Sequence, residues 1–153
     1  MAEYVSTGEQ TVNPGESVVF NIVVVPCIRG LVKPRLGSGN ILLKGWTPST
    51  CRCGCTNNAN YLVEFGANIA IPEDGTVGPI SLALALDGGT IEASSMVVTP
   101  TATGAFFNVA RSKNITVFNG CCQTLTVRNT SSIPILVSDP SIVLSRPDLA
   151  ITR

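Results

Sequence analysis

The chain has 153 residues, with ten basic and ten acidic side chains, a net charge of zero, no histidine, and a charged fraction of only 13%. The lack of histidine excludes the Ser-His-Asp and Cys-His mechanisms and the histidine-dependent zinc sites, so we expect no enzyme and no cofactor. Scattered, balanced charges argue against nucleic acid or an anionic membrane as a partner, and the low charged fraction favours association between copies.

Apolar residues alternate with a period of two along most of the chain, which predicts strands rather than helices. The clearest example is Ile80 to Leu86, where large aliphatic residues alternate with Ser81, Ala83 and Ala85. In chain order, the predicted strands are Phe20 to Val24, Ile41 to Leu43, Tyr61 to Phe65, Ile69 to Ile71, Ile80 to Leu86, Met96 to Thr99, Ile115 to Phe118, Thr124 to Arg128, Ile133 to Val137 and Ile142 to Leu144. About ten short strands follow from this pattern.

Turn signals separate these strands at intervals of roughly a dozen residues. They include Asn13-Pro14-Gly15, Asp87-Gly88-Gly89 and Asp139-Pro140. This spacing is typical of a β-sandwich or barrel, with a single domain over residues 18–153. Residues 1–17 are predicted to be an N-terminal arm or first strand, polar enough to serve as an attachment segment.

Six cysteines are the least ordinary feature of the composition. Cys51, Cys53 and Cys55 fall in a predicted loop, where their thiolates could converge on a soft metal ion. Disulfides or simple packing as small apolar residues are the alternatives, and six cysteines allow 15 disulfide connectivities. The adjacent Cys121 and Cys122 would point to opposite faces of a strand, so they do not suit one site.

The N-terminus shows no positively charged region followed by an apolar run, so we expect no secretory signal and synthesis in the cytoplasm. The longest apolar runs are far shorter than the ~20 residues that a membrane-spanning helix needs. We therefore expect no membrane partner.

Four segments resemble the C1q/TNF-like jelly-roll family: Tyr61 to Asn68, Gly78 to Gly88, Ser94 to Val98, and Gly120 to Asn129. They are most similar to the bacterial branch typified by the C-terminal domain of the collagen-like exosporium glycoprotein of spores. The resemblance implies an all-β antiparallel jelly-roll sandwich that assembles as a tight homotrimer. No collagen-like Gly-X-Y segment precedes the domain in this sequence, and aromatic residues are sparser than in the eukaryotic members.

The trimer that this resemblance implies would need close approach between neighbouring copies. Phe65 and the small side chains of Ala83 and Ala85 are the candidate interface residues. The alternative is that the two alanines pack under a loop within one subunit.

The opening segment, Tyr4 to Gly15, also resembles small structural proteins of tailed phages, namely capsid decoration proteins and head fibres. This resemblance implies a trimeric decoration protein on the virion surface, bound to the major capsid protein or another virion protein. Glu3, Tyr4 and Val5 are then the candidate attachment residues.

A second function remains open, because jelly rolls also serve as lectins. The chain would then be a receptor- or carbohydrate-binding head of a phage fibre or spore-surface filament. Trp46 is an aromatic candidate for a sugar platform, but its place at a strand end just before Pro48 favours a core residue.

Overall fold

The computed structural model describes residues 1–27, 30–45, 58–118 and 122–147, and these residues contain twelve strands in two sheets. Sheet A contains β1 (Ala2–Val5), β2 (Glu9–Val12), β3 (Ile22–Val25), β6 (Ala59–Ala70), β10 (Phe107–Val117) and β12 (Ile135–Ser145). Sheet B contains β4 (Val32–Pro34), β5 (Ile41–Leu43), β7 (Ile80–Leu86), β8 (Gly89–Thr90), β9 (Met96–Val98) and β11 (Gln123–Asn129). All strand pairs are antiparallel, which confirms the predicted all-β sandwich.

Strands that are distant in sequence lie side by side in each sheet. The order in sheet A is β10-β6-β12-β1-β3, with β2 also paired to β12, and in sheet B it is β4-β5-β11-β7-β8, with β9 also paired to β7. In sheet A, Tyr4 of β1 faces Ile142 of β12. The first two strands of the chain, β1 and β2, are therefore part of sheet A, where both pair with the last strand, β12.

The core fills the space between the two sheets and is made of alternate residues from each strand. On β6, Tyr61 and Val63 are fully buried, and on β7, Ile80, Leu82 and Leu84 are fully buried. Burial of such side chains stabilises the fold by roughly 1.5–3 kcal/mol each. The alternation seen in the sequence thus places the apolar face of both strands in the core.

On the other face of β7, Ala83 and Ala85 are also buried and Ser81 is half-buried, which the predicted alternation did not indicate. Ala83 lies opposite Arg128 of β11. The Arg128 side chain extends to the backbone carbonyl of Gly88, in the turn after β7. The short 3-10 helix Glu92–Ser94 connects β8 to β9. The hydroxyl of its Ser94 accepts a hydrogen bond from the Leu84 N–H of β7 at 2.8 Å.

Asp139-Pro140 does not end a strand, so that predicted turn was wrong. Both residues lie within β12, where the pairing with β6 shifts register between Ser138 and Ser141. Asp139 has a φ of 49° and its carboxylate accepts the Gly8 N–H, while Pro140 has no N–H to leave unpaired. The sequence signal for a turn is thus used for a bulge inside a longer strand.

The prediction for Phe20 to Val24 was also only partly right. Phe20 is buried but lies before β3, in an isolated bridge to Ser38. Ile22 and Val24, which were predicted to share its buried face, are 41% and 51% exposed. The hairpin signal at Asp87-Gly88 is confirmed, because φ values of 50° and 84° are those of a type I′ turn between β7 and β8.

Within the described ranges, no helix has both the length and the apolar character needed to cross a membrane.

Candidate functional site

The cysteines proposed as metal ligands, Cys51, Cys53 and Cys55, lie outside the residues that the structure describes, as does Trp46. Cys122 is disulfide-bonded. Cys27 is half-buried near Tyr4. In the described part of the chain, no group of three or more Cys, Asp or Glu side chains is placed to hold a metal ion.

The candidate trimer-interface residues are all buried within a single chain. Ala83 and Ala85 are 1% and 0% exposed, and Phe65 is 3% exposed and packs in the core. They offer almost no surface to a second copy in this arrangement, which agrees with the alternative that the alanines pack within one subunit. Their role in an interface stays a prediction.

The candidate attachment residues lie on β1 and point to opposite sides of sheet A. Tyr4 faces the core and is 1% exposed, whereas Glu3 and Val5 are half-buried on the outer face. Burial, with a smaller contribution from Cys27, raises the pKa of Tyr4 from 10.0 to about 12. Of the three residues, only Glu3 and Val5 are placed to contact a partner.

Two apolar patches lie at opposite edges of sheet A. The first, here called the β3 edge, consists of Ile22, Val23 and Val24, which are 41%, 37% and 51% exposed. The second, the β10 edge, consists of Phe106 and Phe107 at the start of β10, which are 41% and 40% exposed. Strand β9 of sheet B, whose Val97 is 61% exposed, contacts β10. Apolar residues at an edge strand favour pairing with another chain.

A furrow crosses the outer face of sheet B and consists of three neighbouring depressions. Its first depression, of about 580 Å³, is lined by Gly15, Ser81, Ala83, Thr90, Glu92, Ser95, Arg128, Asn129, Thr130 and Ser131. The second, of about 480 Å³, shares Gly15 and Arg128 with the first, and the third, of about 360 Å³, shares Asn40 and Thr124 with the second. We call this the sheet B furrow.

Arg128 lies between the first two depressions and organises them. Its Nε and Nη2 donate to the carbonyl oxygen of Gly15 at 3.0 and 2.8 Å, and its Nη1 donates to that of Gly88 at 2.7 Å. These bonds tie two turns to β11 and use three of the five guanidinium N–H groups. The other two N–H groups make no hydrogen bond to described residues.

Other groups of the furrow are fixed by hydrogen bonds to the sheet. Asp87 accepts the Thr124 N–H at 2.8 Å and a Gln123 side-chain N–H at 3.2 Å. Thr126, on the floor of the second depression, is 8% exposed, and its hydroxyl has no hydrogen-bond partner in the described structure. An unmade hydrogen bond at a buried hydroxyl costs roughly 1–3 kcal/mol, so this position is chemically unusual.

Solved structures with the same arrangement of sheets were found, although no family model and no curated protein matches the sequence. The globular domain of zebrafish complement 1qA is similar with a TM-score of 0.57 and 11% identity, over 93% of this chain and 94% of that one. Eiger TNF from S. frugiperda is similar with a TM-score of 0.59 and 12% identity, over 95% of this chain and 90% of that one. The fold is a C1q/TNF-like jelly roll.

The C1q/TNF-like fold agrees with the resemblance seen in the sequence, but these identities establish the architecture alone. The sheet B furrow was missed by sequence analysis because its lining comes from separate segments on β7, β8, β11 and the loops beside them. The one local signal was the alternation on β11, where Thr124, Thr126 and Arg128 share the polar face.

Proposed function

We propose that the chain is a non-enzymatic structural protein that acts as a homotrimer on the surface of a phage virion, as a capsid decoration protein. The observation that carries the assembly part of this proposal is the pair of exposed apolar patches at the two edges of sheet A. The virion part rests on the resemblance of the opening segment to phage structural proteins.

The β3 edge has the character of an uncovered interface. Val23 and Val24 are substantially exposed, and in the described chain β3 pairs with β1 on one side only. Its other side therefore leaves backbone N–H and C=O groups without a strand partner, next to exposed aliphatic side chains. Natural edge strands usually carry charges or prolines that prevent pairing, and Ile22–Val25 has neither.

The β10 edge lies across the sheet from the β3 edge, four strand spacings or about 19 Å away. Two different patches on opposite sides of one chain produce a head-to-tail interface, which closes into a ring when the rotation allows it. Packing of the β3 edge of one copy against the β10 edge of the next would give a three-membered ring. The low charged fraction of the chain would favour this association, because there is little electrostatic repulsion between copies.

In such a trimer, Glu3 and Val5 on the outer face of β1 are the candidate contacts to the major capsid protein or another virion protein. Truncation of the N-terminal segment would not test this, because β1 and β2 pair with β12 and their removal would open sheet A. Point substitutions on the outer face of β1 are the suitable variants.

Two measurements test the proposal. Native mass spectrometry of the purified protein should give three times the 16.0 kDa chain mass. Proteomic analysis of purified phage particles should find the chain, and the substitution Val5→Glu should lower its occupancy without changing the native mass. A monomer at micromolar concentration would refute the trimer, and absence from purified particles would refute the virion location.

A further inference from the structure

The sheet B furrow is not used by the proposed assembly, which involves the two edges of sheet A. Its three depressions follow one another across β8, β7, β11, β5 and β4, a span of four strand spacings or about 19 Å. Neighbouring depressions share lining residues, so they lie side by side along one furrow. Such a shape suits a short linear ligand that lies across the strands.

We propose that this furrow binds a neutral oligosaccharide, with one sugar unit seated in the first depression. Hydroxyl side chains dominate the lining there: Ser81, Thr90, Ser95, Thr130 and Ser131. Thr90 and Ser95 make no side-chain hydrogen bond to described residues, and both remain available to a ligand. Because a hydroxyl both donates and accepts, it matches the hydroxyls of a sugar in either direction.

The charges in the first depression favour a neutral ligand over an ion. Glu92 and Arg128 are the charged residues of its lining, and their charges cancel. No ion pair joins them, so the Glu92 carboxylate is free to accept and the two remaining Arg128 N–H groups are free to donate. A charged acceptor and a charged donor in one depression can hold the hydroxyls of a sugar by strong hydrogen bonds.

The second depression contributes an independent observation. The buried Thr126 hydroxyl lacks a partner in the described chain. This oxygen is shielded from solvent, so a change of the χ1 rotamer is needed before a bound sugar hydroxyl can supply the hydrogen bond that the fold leaves unmade.

The affinity of a single furrow is expected to be low. Among the described lining residues, no aromatic ring is present to stack on a sugar face. We expect a dissociation constant on the order of 1 mM for one site, set by hydrogen bonds alone. Presentation of several copies on one surface would raise the overall avidity, although the inference does not depend on the trimer.

The test is an NMR titration of the full chain with soluble linear oligosaccharides, neutral and acidic, at concentrations above the expected dissociation constant. The test variant is Thr90→Val with Glu92→Gln. The matched control is Thr11→Val with Glu9→Gln, which makes the same two changes at exposed positions on β2 of the other sheet. Both variants should keep the circular dichroism spectrum and melting temperature of the unsubstituted protein.

We expect a neutral oligosaccharide to bind, to shift the amide signals of Thr90, Ser95 and Arg128, and to lose at least tenfold in affinity in the test variant but not in the control. No amide shifts with any neutral oligosaccharide, shifts confined to acidic oligosaccharides, or equal binding by the test variant and the unsubstituted protein would each overturn the inference. The native mass is measured separately, so failure here leaves the assembly proposal standing, and the reverse.

Discussion

Tyr4 and Tyr61 are both fully buried in sheet A, but only the hydroxyl of Tyr61 meets a hydrogen-bond acceptor in the described structure. The Tyr61 Oη lies 2.6 Å from the carbonyl oxygen of Lys44 and 3.1 Å from that of Leu31. The Tyr4 hydroxyl has no such partner. Two tyrosines on strands of one sheet thus differ in whether the buried hydroxyl has a hydrogen-bond partner among the described residues.

The substitution Tyr61→Phe should destabilise the protein by about 1 kcal/mol, because it removes the hydrogen bond to Lys44 and leaves a carbonyl less well satisfied. Tyr4→Phe should leave the free energy of unfolding unchanged or raise it, because it removes a buried hydroxyl that makes no bond. Chemical denaturation of both variants measures this difference. A larger loss for Tyr4→Phe than for Tyr61→Phe would contradict the environment described for Tyr4.

Alkaline pH should unfold the protein in part through Tyr4. Burial raises the pKa of Tyr4 from 10.0 to about 12, so the folded state keeps a proton that the unfolded chain releases. The stability that this proton contributes is present below pH 10 and is lost as the pH rises to about 12. The melting temperature should fall less steeply over that window in Tyr4→Phe, and parallel curves for the two proteins would contradict the shift.

Acid pH should reveal the contribution of Asp139. Hydrogen bonds from the Gly8 N–H and then the Ser138 hydroxyl lower the pKa of this carboxyl below 3.8, so its charged form stabilises the folded state above that pH. The contribution is lost as the pH falls through the lowered pKa. Asn tolerates the positive φ of this position. Asp139→Asn should therefore melt earlier than the unsubstituted protein at pH 7, with a gap that closes below about pH 3.8; a gap that persists in acid would refute this role.

Gly39 should not tolerate a side chain. A Cβ at this position would lie 2.4 Å from the Cβ of Ser17 and 2.7 Å from the carbonyl oxygen of Val18. We expect Gly39→Ala to cost about 2 kcal/mol of unfolding free energy, because the backbone of residues 17–18 must shift. Gly78→Ala is the control, since nothing lies within 4 Å of its Cβ position. Equal stability of the two variants would contradict the close approach.

The β3 edge should control assembly. Val24 is 51% exposed, so Val24→Lys places a charge on this edge without opening the core. We expect the native mass to fall from that of the assembly to that of one chain, with little change in the circular dichroism spectrum. Thr11→Lys, at an exposed position of β2, is the matched control and should leave the assembly intact. An assembly that survives Val24→Lys would place the contact elsewhere.

Several strands could be predicted closely because their signal is local. The predicted strand Ile80 to Leu86 has the same bounds as β7, and Asp87-Gly88 matched the turn that follows it. The runs at Tyr61 to Phe65 and Ile69 to Ile71 were predicted as separate strands, but β6 continues through most of both. The intervening Gly66 lowers strand propensity locally, and pairing with β10 and β12 on both sides overrides it.

The functional surfaces were harder to predict. Alternation shows that Ile22 and Val24 share a face, but it does not show whether another layer covers that face. The sheet B furrow has the same difficulty, since Ser81, Glu92 and Arg128 come together only through the pairing of β7 with β11 and the path of the chain after β8.

The sequence by itself determined the all-β class and the apolar face of most strands. Successive side chains of a strand point to opposite faces, so alternation between neighbouring residues is enough to show it. Only the tertiary structure decided which strands lie at the edges, which outer face becomes concave, and which buried hydroxyls find a partner. Those properties depend on contacts between residues such as Arg128 and Gly15, which are more than a hundred positions apart. Such contacts stabilise the protein only after the chain has folded back to bring the two residues together, at the entropic cost of closing a long loop.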